Sequence, residues 1–402
     1  MGVRHEKIAG MLGARNVRTN VVAWGLCWWV VLAACGATRA REERRVPVTL
    51  REEGWLPENR ARIERVIGEL GARDGRRVAV FDWDNTMMRG DIGDLVLAHL
   101  IERGAIAEGV IPQGDAMLSA AAHEALARAS DATERGRVVA HLAWRGTTPE
   151  GEPAFTVSVG PFYRATYGVI AQVLAAGRTD DALRAIAREA FTAASVAPIG
   201  AREVIGGVEV ERFARLHAPM IELARALEAI GVEVWIVSAS PEPIVEAIAE
   251  IAGLDPARVV GVRMEHDDAG RGTSRFEACG EGPLATPVMT WLEGKRCWIN
   301  REIFGVPSAR QRMRQDDPAL RPVLVAGDSD GDLAMLQDAT ALAIVLDRQN
   351  VRVMCNALAS GWVVQPLFVD PPAPRTTPYP CSTHEDTLGR VVDVEGRAIA
   401  DR

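Results

Sequence analysis

Two carboxylates stand two residues apart in Asp82-Trp83-Asp84-Asn85-Thr86, directly after the apolar run Val78-Ala79-Val80-Phe81. If that run is a strand, alternation puts both acids on one side as the chain leaves its carboxyl end. In an open parallel sheet this end faces the crevice where ligands bind, and paired acids there repel each other unless a cation offsets them. A divalent metal does so, and hard oxygen donors with no His or Cys nearby favour Mg2+ over zinc. Ser238-Ala239-Ser240 follows a second run, Val232 to Val237, and opens a helix whose free N–H groups can hold an anion. Lys295, in Glu293-Gly294-Lys295, offers a fixed positive charge. A third run, Pro322 to Ala326, ends in Gly327-Asp328-Ser329-Asp330-Gly331-Asp332. It adds carboxylates at the same edge and a Gly-rich turn through which backbone can approach a metal or phosphate.

This ordered set resembles the haloacid dehalogenase superfamily of phosphohydrolases, specifically its phosphoserine phosphatase-like branch, over about residues 76 to 348. The resemblance implies that Asp82 is a nucleophile forming an aspartyl-phosphate and that Asp84 is the general acid and then the base. It implies that Thr86 and Ser238 position the phosphoryl group and that Lys295 balances its charge. By the same likeness Asp82, the backbone carbonyl of Asp84 and Asp328 ligate Mg2+, with Asp332 in support. Ser240 stands as the alternative to Ser238, Arg296 to Lys295, and Asp330 to Asp332. Asp91 occupies the position where phosphoserine phosphatases carry a glutamate that reads the substrate's amine. Gly331 departs from that branch, which usually carries Asn there. The Asp-Trp-Asp-Asn-Thr form with Ser-Ala-Ser is also similar to secreted phosphorylcholine phosphatases, whose aromatic residues bind a quaternary ammonium. Trp144, Phe162, Tyr163 and Tyr167 are candidates for that contact. The expected function is a Mg2+-dependent phosphomonoesterase acting on a small phosphate ester. Phosphorylcholine or phosphoethanolamine hydrolysis, phosphoryl transfer, and a non-catalytic surface lipoprotein on the same fold stand as alternatives.

Such a site needs an α/β frame. Val78 to Phe81, Val232 to Val237, Val259 to Val262, Pro322 to Ala326 and Leu342 to Leu346 are short apolar runs separated by amphipathic stretches such as Met220 to Ile230 and Pro243 to Ile251. That alternation predicts a doubly wound parallel sheet. About 150 residues separate the first two runs, too many for one crossover, so an inserted domain is expected. Ala116 to Ala129, Val138 to Trp144, Tyr163 to Leu174 and Asp180 to Ala194 have helical periodicity, and Pro149 to Gly160 suits a loop or short hairpin. The boundaries expected are a core from 61–93 and 210–365, a mainly helical cap at 94–209, a tether at 35–60 and an irregular Pro-rich tail at 366–402.

The first 34 residues read as an export signal: Arg4, Lys7, Arg15 and Arg18 precede an uncharged run from Val21 to Ala34. The run is shorter than the ~20 residues a membrane-spanning helix needs. Met11 is an alternative start. Leu32-Ala33-Ala34-Cys35-Gly36 resembles a lipoprotein lipobox, which implies a lipidated Cys35 as membrane anchor. The expected location is the periplasmic side of a membrane, the outer one by the Gly after the Cys, or the soluble periplasm. Export would allow Cys279, Cys297, Cys355 and Cys381 to form one or two disulfides, although spacing cannot name the pairs. The 402 residues are 48% hydrophobic and 25% charged, which excludes disordered and collagen-like classes. With a net charge of -8 and no basic cluster, a nucleic acid partner is not expected.

Overall fold

In the computed structural model, residues 49–111, 115–284 and 286–402 are described. The signal, the lipobox and most of the expected tether lie outside them. Six parallel strands form the central sheet: β1 (Val78–Phe81), β2 (Glu233–Pro241), β3 (Val259–Val262), β4 (Leu324–Gly327), β5 (Leu342–Asp347) and β6 (Val363–Pro366). Their spatial order is β6-β5-β4-β1-β2-β3, so the chain builds outward from β1 in one direction and then returns to build in the other. The crevice at that reversal is where an α/β sheet offers a ligand site, and the acids after β1 open into it.

The strand residues explain the layers. Ala79, Phe81, Leu324, Ala326 and Ile344 point to one face, while Val78, Val80, Val325, Ala343 and Val345 point to the other. The first face is covered by α1 (Pro57–Gly71), α7 (Ala218–Ala229) and α8 (Glu242–Ile251), through Ile63, Ile67, Leu223, Leu227, Ile244 and Ile248. The second is covered by α9 (Glu293–Trp298), α10 (Leu333–Asp338) and α11 (Val351–Ser360). Each buried Leu or Ile contributes about 1.5–3 kcal/mol by leaving water, which makes the all-buried patterns of β1 and β4 strongly determining.

Between β1 and β2 lie α2 (Ile92–Glu102), α3 (Ala120–Arg128), α4 (Ala132–Arg145), α5 (Ala165–Ala175) and α6 (Asp180–Val196). Their starts are written locally: Ser119, Asp131 and Thr179 accept bonds from backbone N–H groups of the first turns of α3, α4 and α6. Apolar residues of this insertion, including Val139, Leu174 and Leu183, join the same apolar cluster as the sheet's first face. Arg184 and Arg188 on α6 pair with Glu246 and Glu250 on α8, fastening the insertion at its edge.

Several parts differ from expectation. Val159–Gly160 pairs with Tyr163–Arg164, so the loop at 149–160 ends in a minimal ladder. Two hairpins were not expected: Arg202–Ile205 with Val208–Glu211, although Gly206-Gly207 and the alternation of Val208 to Glu211 mark it, and Met264–His266 with Gly272–Phe276, which carries little apolar alternation. Residues 50–56 are not a free tether, since Leu50 and Trp55 are buried and Trp55 packs edge-on against Phe368. Nor is the Pro-rich end a loose tail. Cys381 is bonded to Cys355 of α11, and Arg352 holds Asp386 together with the carbonyls of Gly389 and Arg390. Tyr379, Val391 and Ile399 are buried against the second face of the sheet. A second disulfide joins Cys279 to Cys297.

Candidate active site

Asp82 continues the β1 ladder, its N–H donating to Ala326 O at 2.9 Å, so the position of its carboxylate is fixed by the sheet itself. Trp83 points into the core with no exposure. Asn85 then takes the left-handed conformation (φ 60°), and its Oδ1 accepts bonds from Gly90 N and Arg89, closing the loop. This turn returns the chain to α2, where Ile92 N donates to Asp84 Oδ1 at 2.8 Å.

Lys295 is the hub of the floor. Its Nζ lies 2.6 Å from Asp82 Oδ1, 2.6 Å from Asp332 Oδ1 and 2.7 Å from Val237 O, and the side chain is 1% exposed. Such a placement needs Gly294: a Cβ there would stand 1.8 Å from Met289 O. Burial opposes the lysine's charge, but Asp332 and Asp82 outweigh it and hold its pKa above the usual value. Burial and Asp332 push the Asp82 carboxyl upward against the pull of Lys295. Asp332 Oδ2 is occupied by the N–H groups of Asp328 and Ser329 at 3.0 Å each.

Asp84 faces the same crevice. Its Oδ2 accepts from Ser240 Oγ at 2.7 Å and from Ser238 Oγ at 3.2 Å. Desolvation, followed by the neighbouring Asp91, pushes its carboxyl up to about 8. A carboxyl held this way can carry a proton near neutral pH and give it to a nearby oxygen.

All of these groups open onto one cavity of about 480 Å³. Asp82, Asp84, Asp91, Lys295, Asp328 and Asp332 line it, and so does Ser240. Thr86 and Ser238 are fully buried beneath its wall. Thr86 donates to Asp328 Oδ1 at 3.2 Å, and Ser238 to Asp84, so their hydroxyls orient these carboxylates rather than standing free for a phosphoryl group. Of the alternatives, Arg296 is spent on Asp338 and Glu293, and Asp330 on the N–H of Val353. Gly331 has a physical reason: a Cβ there would lie 2.6 Å from the Trp291 ring.

For a metal, Asp82, Asp328 and Asp332 each offer a carboxylate oxygen within 4.8 Å of the others, all three buried. An all-oxygen, anionic donor set fits Mg2+. Asp332 has one oxygen on Lys295 and the other on backbone N–H groups, Asp328 has its oxygens on Thr86 and Arg348, and Asp82 has Oδ1 on Lys295, so Asp82 and Asp328, which lack backbone partners among the described residues, would hold the ion by exchanging a side-chain contact for it. The carboxylate of Asp84 is not in this cluster.

The upper wall comes from the insertion. Asp91 caps α2, accepting from Asp94 N at 3.0 Å, and Asp94 Oδ1 accepts from Trp144 Nε1 at 2.8 Å. Tyr167 and Trp291 meet edge-on, with centroids 5.7 Å apart, and Arg164 lies over both rings. Of the four aromatic candidates Trp144 and Tyr167 line the cavity. Tyr163 packs instead on Phe276, and Phe162 lies under Arg312. Arg348, whose Nη1 is 2.7 Å from Asp328 Oδ2, was missed although it directly follows a strand ending at the same edge. Arg164 had no comparable signal.

Residues 155–337 match the family model of haloacid dehalogenase-like hydrolases. The match holds Ser238, Lys295, Asp328 and Asp332, while Asp82 joins them because β1 is paired between β2 and β4. No curated protein matches the sequence. The fold is similar to that of a conserved protein of unknown function from Anaerococcus prevotii, at 19% identity and a TM-score of 0.54, over 80% of this chain and 94% of that one. A protein of unknown function from Bordetella pertussis matches at 21% identity and a TM-score of 0.44, over 73% and 100% of the two chains. A phosphoserine phosphohydrolase-like protein from Francisella tularensis matches at 14% identity and 0.33, over 72% and 94%. Residues 155–337 are therefore similar to the haloacid dehalogenase-like hydrolases, and they carry three of the six strands of the central sheet.

Proposed function

We propose that this chain is a Mg2+-dependent phosphomonoester hydrolase that acts on a small phosphate ester through an aspartyl-phosphate. The observation that carries the reading is the pairing of two differently held carboxylates on one cavity. Asp82 lies against a buried lysine, and Asp84, two residues on, is held by two serine hydroxyls and a helix N–H. Burial raises both acids, so it is the different partners, a lysine cation on Asp82 and hydroxyl and N–H donors on Asp84, that suit the first to attack and the second to hold a proton.

Asp82 Oδ attacks phosphorus, and the bond to the ester oxygen breaks as Asp84 gives that oxygen its proton. The alcohol leaves. Asp84, now a carboxylate, takes a proton from water as the water oxygen attacks phosphorus, releasing inorganic phosphate and restoring Asp82. Lys295 stays between Asp82 and Asp332 and offsets negative charge on the phosphoryl oxygens. Ser240 orients Asp84 from the cavity side, and Thr86 and Arg348 fix Asp328. Mg2+ bound by Asp82 and Asp328 would supply charge neutralisation for the phosphoryl oxygens.

The same proposal places the enzyme outside the cytoplasm, anchored through a lipidated Cys35 or soluble in the periplasm; two disulfides among the described residues support an oxidising compartment. The test is phosphate release from a panel of monoesters by the chain lacking residues 1–35, with Mg2+ and with chelator. Metal-dependent release supports the reading, and a folded protein that releases phosphate from no ester overturns it. Mass spectrometry of the mature N-terminus decides the anchor, an unmodified start elsewhere removing it.

A further inference from the structure

The segment that follows β6 reaches the floor of the cavity from below at three places. Asp370 Oδ2 accepts from Arg89 Nη2 at 3.1 Å, and the same guanidinium donates through Nη1 to Asn85 Oδ1 at 3.2 Å and to Glu211 Oε2 at 2.8 Å. Asn85 makes the turn beside Asp84, so Asp370 touches that turn through one buried cation. Phe368 packs on His217 with centroids 5.5 Å apart, and His217 Nδ1 lies 3.1 Å from Thr86 O. The third place is the turn after β5. Arg348, whose Nη1 is 2.7 Å from Asp328 Oδ2, stands between two residues that the segment holds: the Tyr379 hydroxyl donates to Asp347 Oδ1 at 3.2 Å, and Gln349 Nε2 donates to Ala373 O.

Backbone conformation marks the same places. Among the described residues four non-glycine residues have positive φ, and three of them, Asn85, Gln349 and Asp370, belong to these contacts. Such conformations persist only where the surroundings hold them. A chain end with little regular structure would ordinarily fray, but this one is fastened: Cys381, two residues beyond Tyr379, is bonded to Cys355, and Arg352 holds Asp386. We infer that the C-terminal segment positions the floor: Asp370, acting through Arg89 and Asn85, sets the turn beside Asp84, and Tyr379, acting through the turn at 347–349, sets Arg348 against Asp328. Both are positioning residues, since neither lines the cavity. The Cys355–Cys381 bond keeps the two contacts in register. This rests on the hydrolase reading for what Asp84 and Asp328 do, not for the bracing itself.

The test reads bracing and chemistry separately, in Tyr379→Phe, Asp370→Ala, Asp370→Asn and a chain with Cys355→Ala and Cys381→Ala together. Hydrogen–deuterium exchange reports the bracing with no metal or substrate present. Exchange should quicken about fivefold over residues 84–91 in Asp370→Ala and over 344–350 in Tyr379→Phe, the factor that one net hydrogen bond is worth, and over both in the chain without the disulfide. Asp370→Asn keeps an acceptor for Arg89 and should exchange like the parent. Calorimetric titration with Mg2+ alone should show binding weakened about fivefold in Tyr379→Phe, because Asp328 loses its fixed partner. With 4-nitrophenyl phosphate, kcat should fall about fivefold in Asp370→Ala while KM stays within about twofold, and Asp370→Asn should recover it. Unchanged exchange in both single variants and in the chain without the disulfide overturns the inference. Faster exchange in an active chain whose kcat and Mg2+ affinity are unaltered overturns it too, since the loops would then move without consequence. A parent that neither binds Mg2+ nor releases phosphate, with the exchange differences intact, sinks the hydrolase reading and leaves the bracing standing.

Discussion

The floor and the upper wall of the cavity are built on different principles. On the floor, Asp82, Lys295, Asp328 and Asp332 are 5% exposed or less, and each is tied to at least one partner inside the protein. On the wall, Asp91, Asp94, Arg164 and Tyr167 are half-buried, and Arg164 has its N–H edge uncommitted. A buried network of charges fixes geometry but cannot adapt, because removing one member leaves the others desolvated and unpaired. A wall of half-buried groups costs little to alter and so can decide which ester enters. Under the proposed reaction, the contrast gives the chemical step to the sheet and the choice of substrate to the insertion.

The largest effect expected is at Asp82. Asp82→Asn keeps the shape and the hydrogen bond from Lys295 but removes the nucleophile, so turnover should fall by about four orders of magnitude or more with the circular dichroism spectrum unchanged. An active variant would show that the floor does something other than covalent catalysis. Next comes Lys295→Met, which leaves Asp82 and Asp332 facing each other without a cation. Breaking a buried pair in this way costs about 3–5 kcal/mol, so urea unfolding should show a loss of that size together with loss of turnover. Adding Asp332→Leu should recover stability but not activity. If Lys295→Met were as stable as the parent, the floor would not be the rigid network described.

A third prediction concerns His217, packed without exposure beneath the loop that follows β1, its Nδ1 at 3.1 Å from Thr86 O and its Nε2 without a partner among the described residues. Burial lowers its pKa from 6.5 to about 4. Above pH 6.5 the ring is neutral in both the folded and the unfolded chain, and its stability contribution is fully present. Between 6.5 and 4 the unfolded chain takes up a proton that the folded chain refuses, so acidification favours unfolding by about 3 kcal/mol at the low end. Urea midpoints between pH 7 and 4 should decline less steeply in His217→Gln than in the parent. Equal slopes would place the acid sensitivity elsewhere.

The same contrast separates what could be read from sequence from what could not. Asp82, Asp84 and Asp328 sit just beyond short apolar runs because a parallel sheet presents its carboxyl ends to the crevice, so each acid carried its own local marker, whereas Ser240, which lines the cavity, was read only as the alternative to Ser238. Lys295 lacked a strand before it and was legible through its place in an ordered set. Arg164 had neither: its partners are a ring three residues on and another, Trp291, from a distant part of the chain, and stacking leaves no spacing to read. The C-terminal segment shows a different failure. Its prolines speak for irregular backbone, which is correct for much of it, but irregular is not loose when Cys381 and Tyr379 are buried under α11. Pairing of cysteines is a three-dimensional fact, and the closed loop it makes is invisible to local pattern.

The smallest effect separates the two regions most finely. Trp144→Phe keeps an aromatic ring on the wall but deletes the Nε1–H that Asp94 accepts at 2.8 Å. One hydrogen bond of this kind is worth about 1 kcal/mol net, so unfolding stability should change by no more than about that amount. If the wall selects substrate and the floor performs chemistry, freeing the Asp94 carboxylate alters binding of the leaving group before it alters the bond being broken. KM for an ester with an extended alcohol should then shift about fivefold while kcat stays within a factor of two, and a minimal ester that does not reach Asp94 should be unaffected in both. A fall in kcat with KM unchanged would mean that Asp94 acts through Asp91 on the proton held by Asp84. In that case the boundary between floor and wall would lie one turn of α2 further out than drawn.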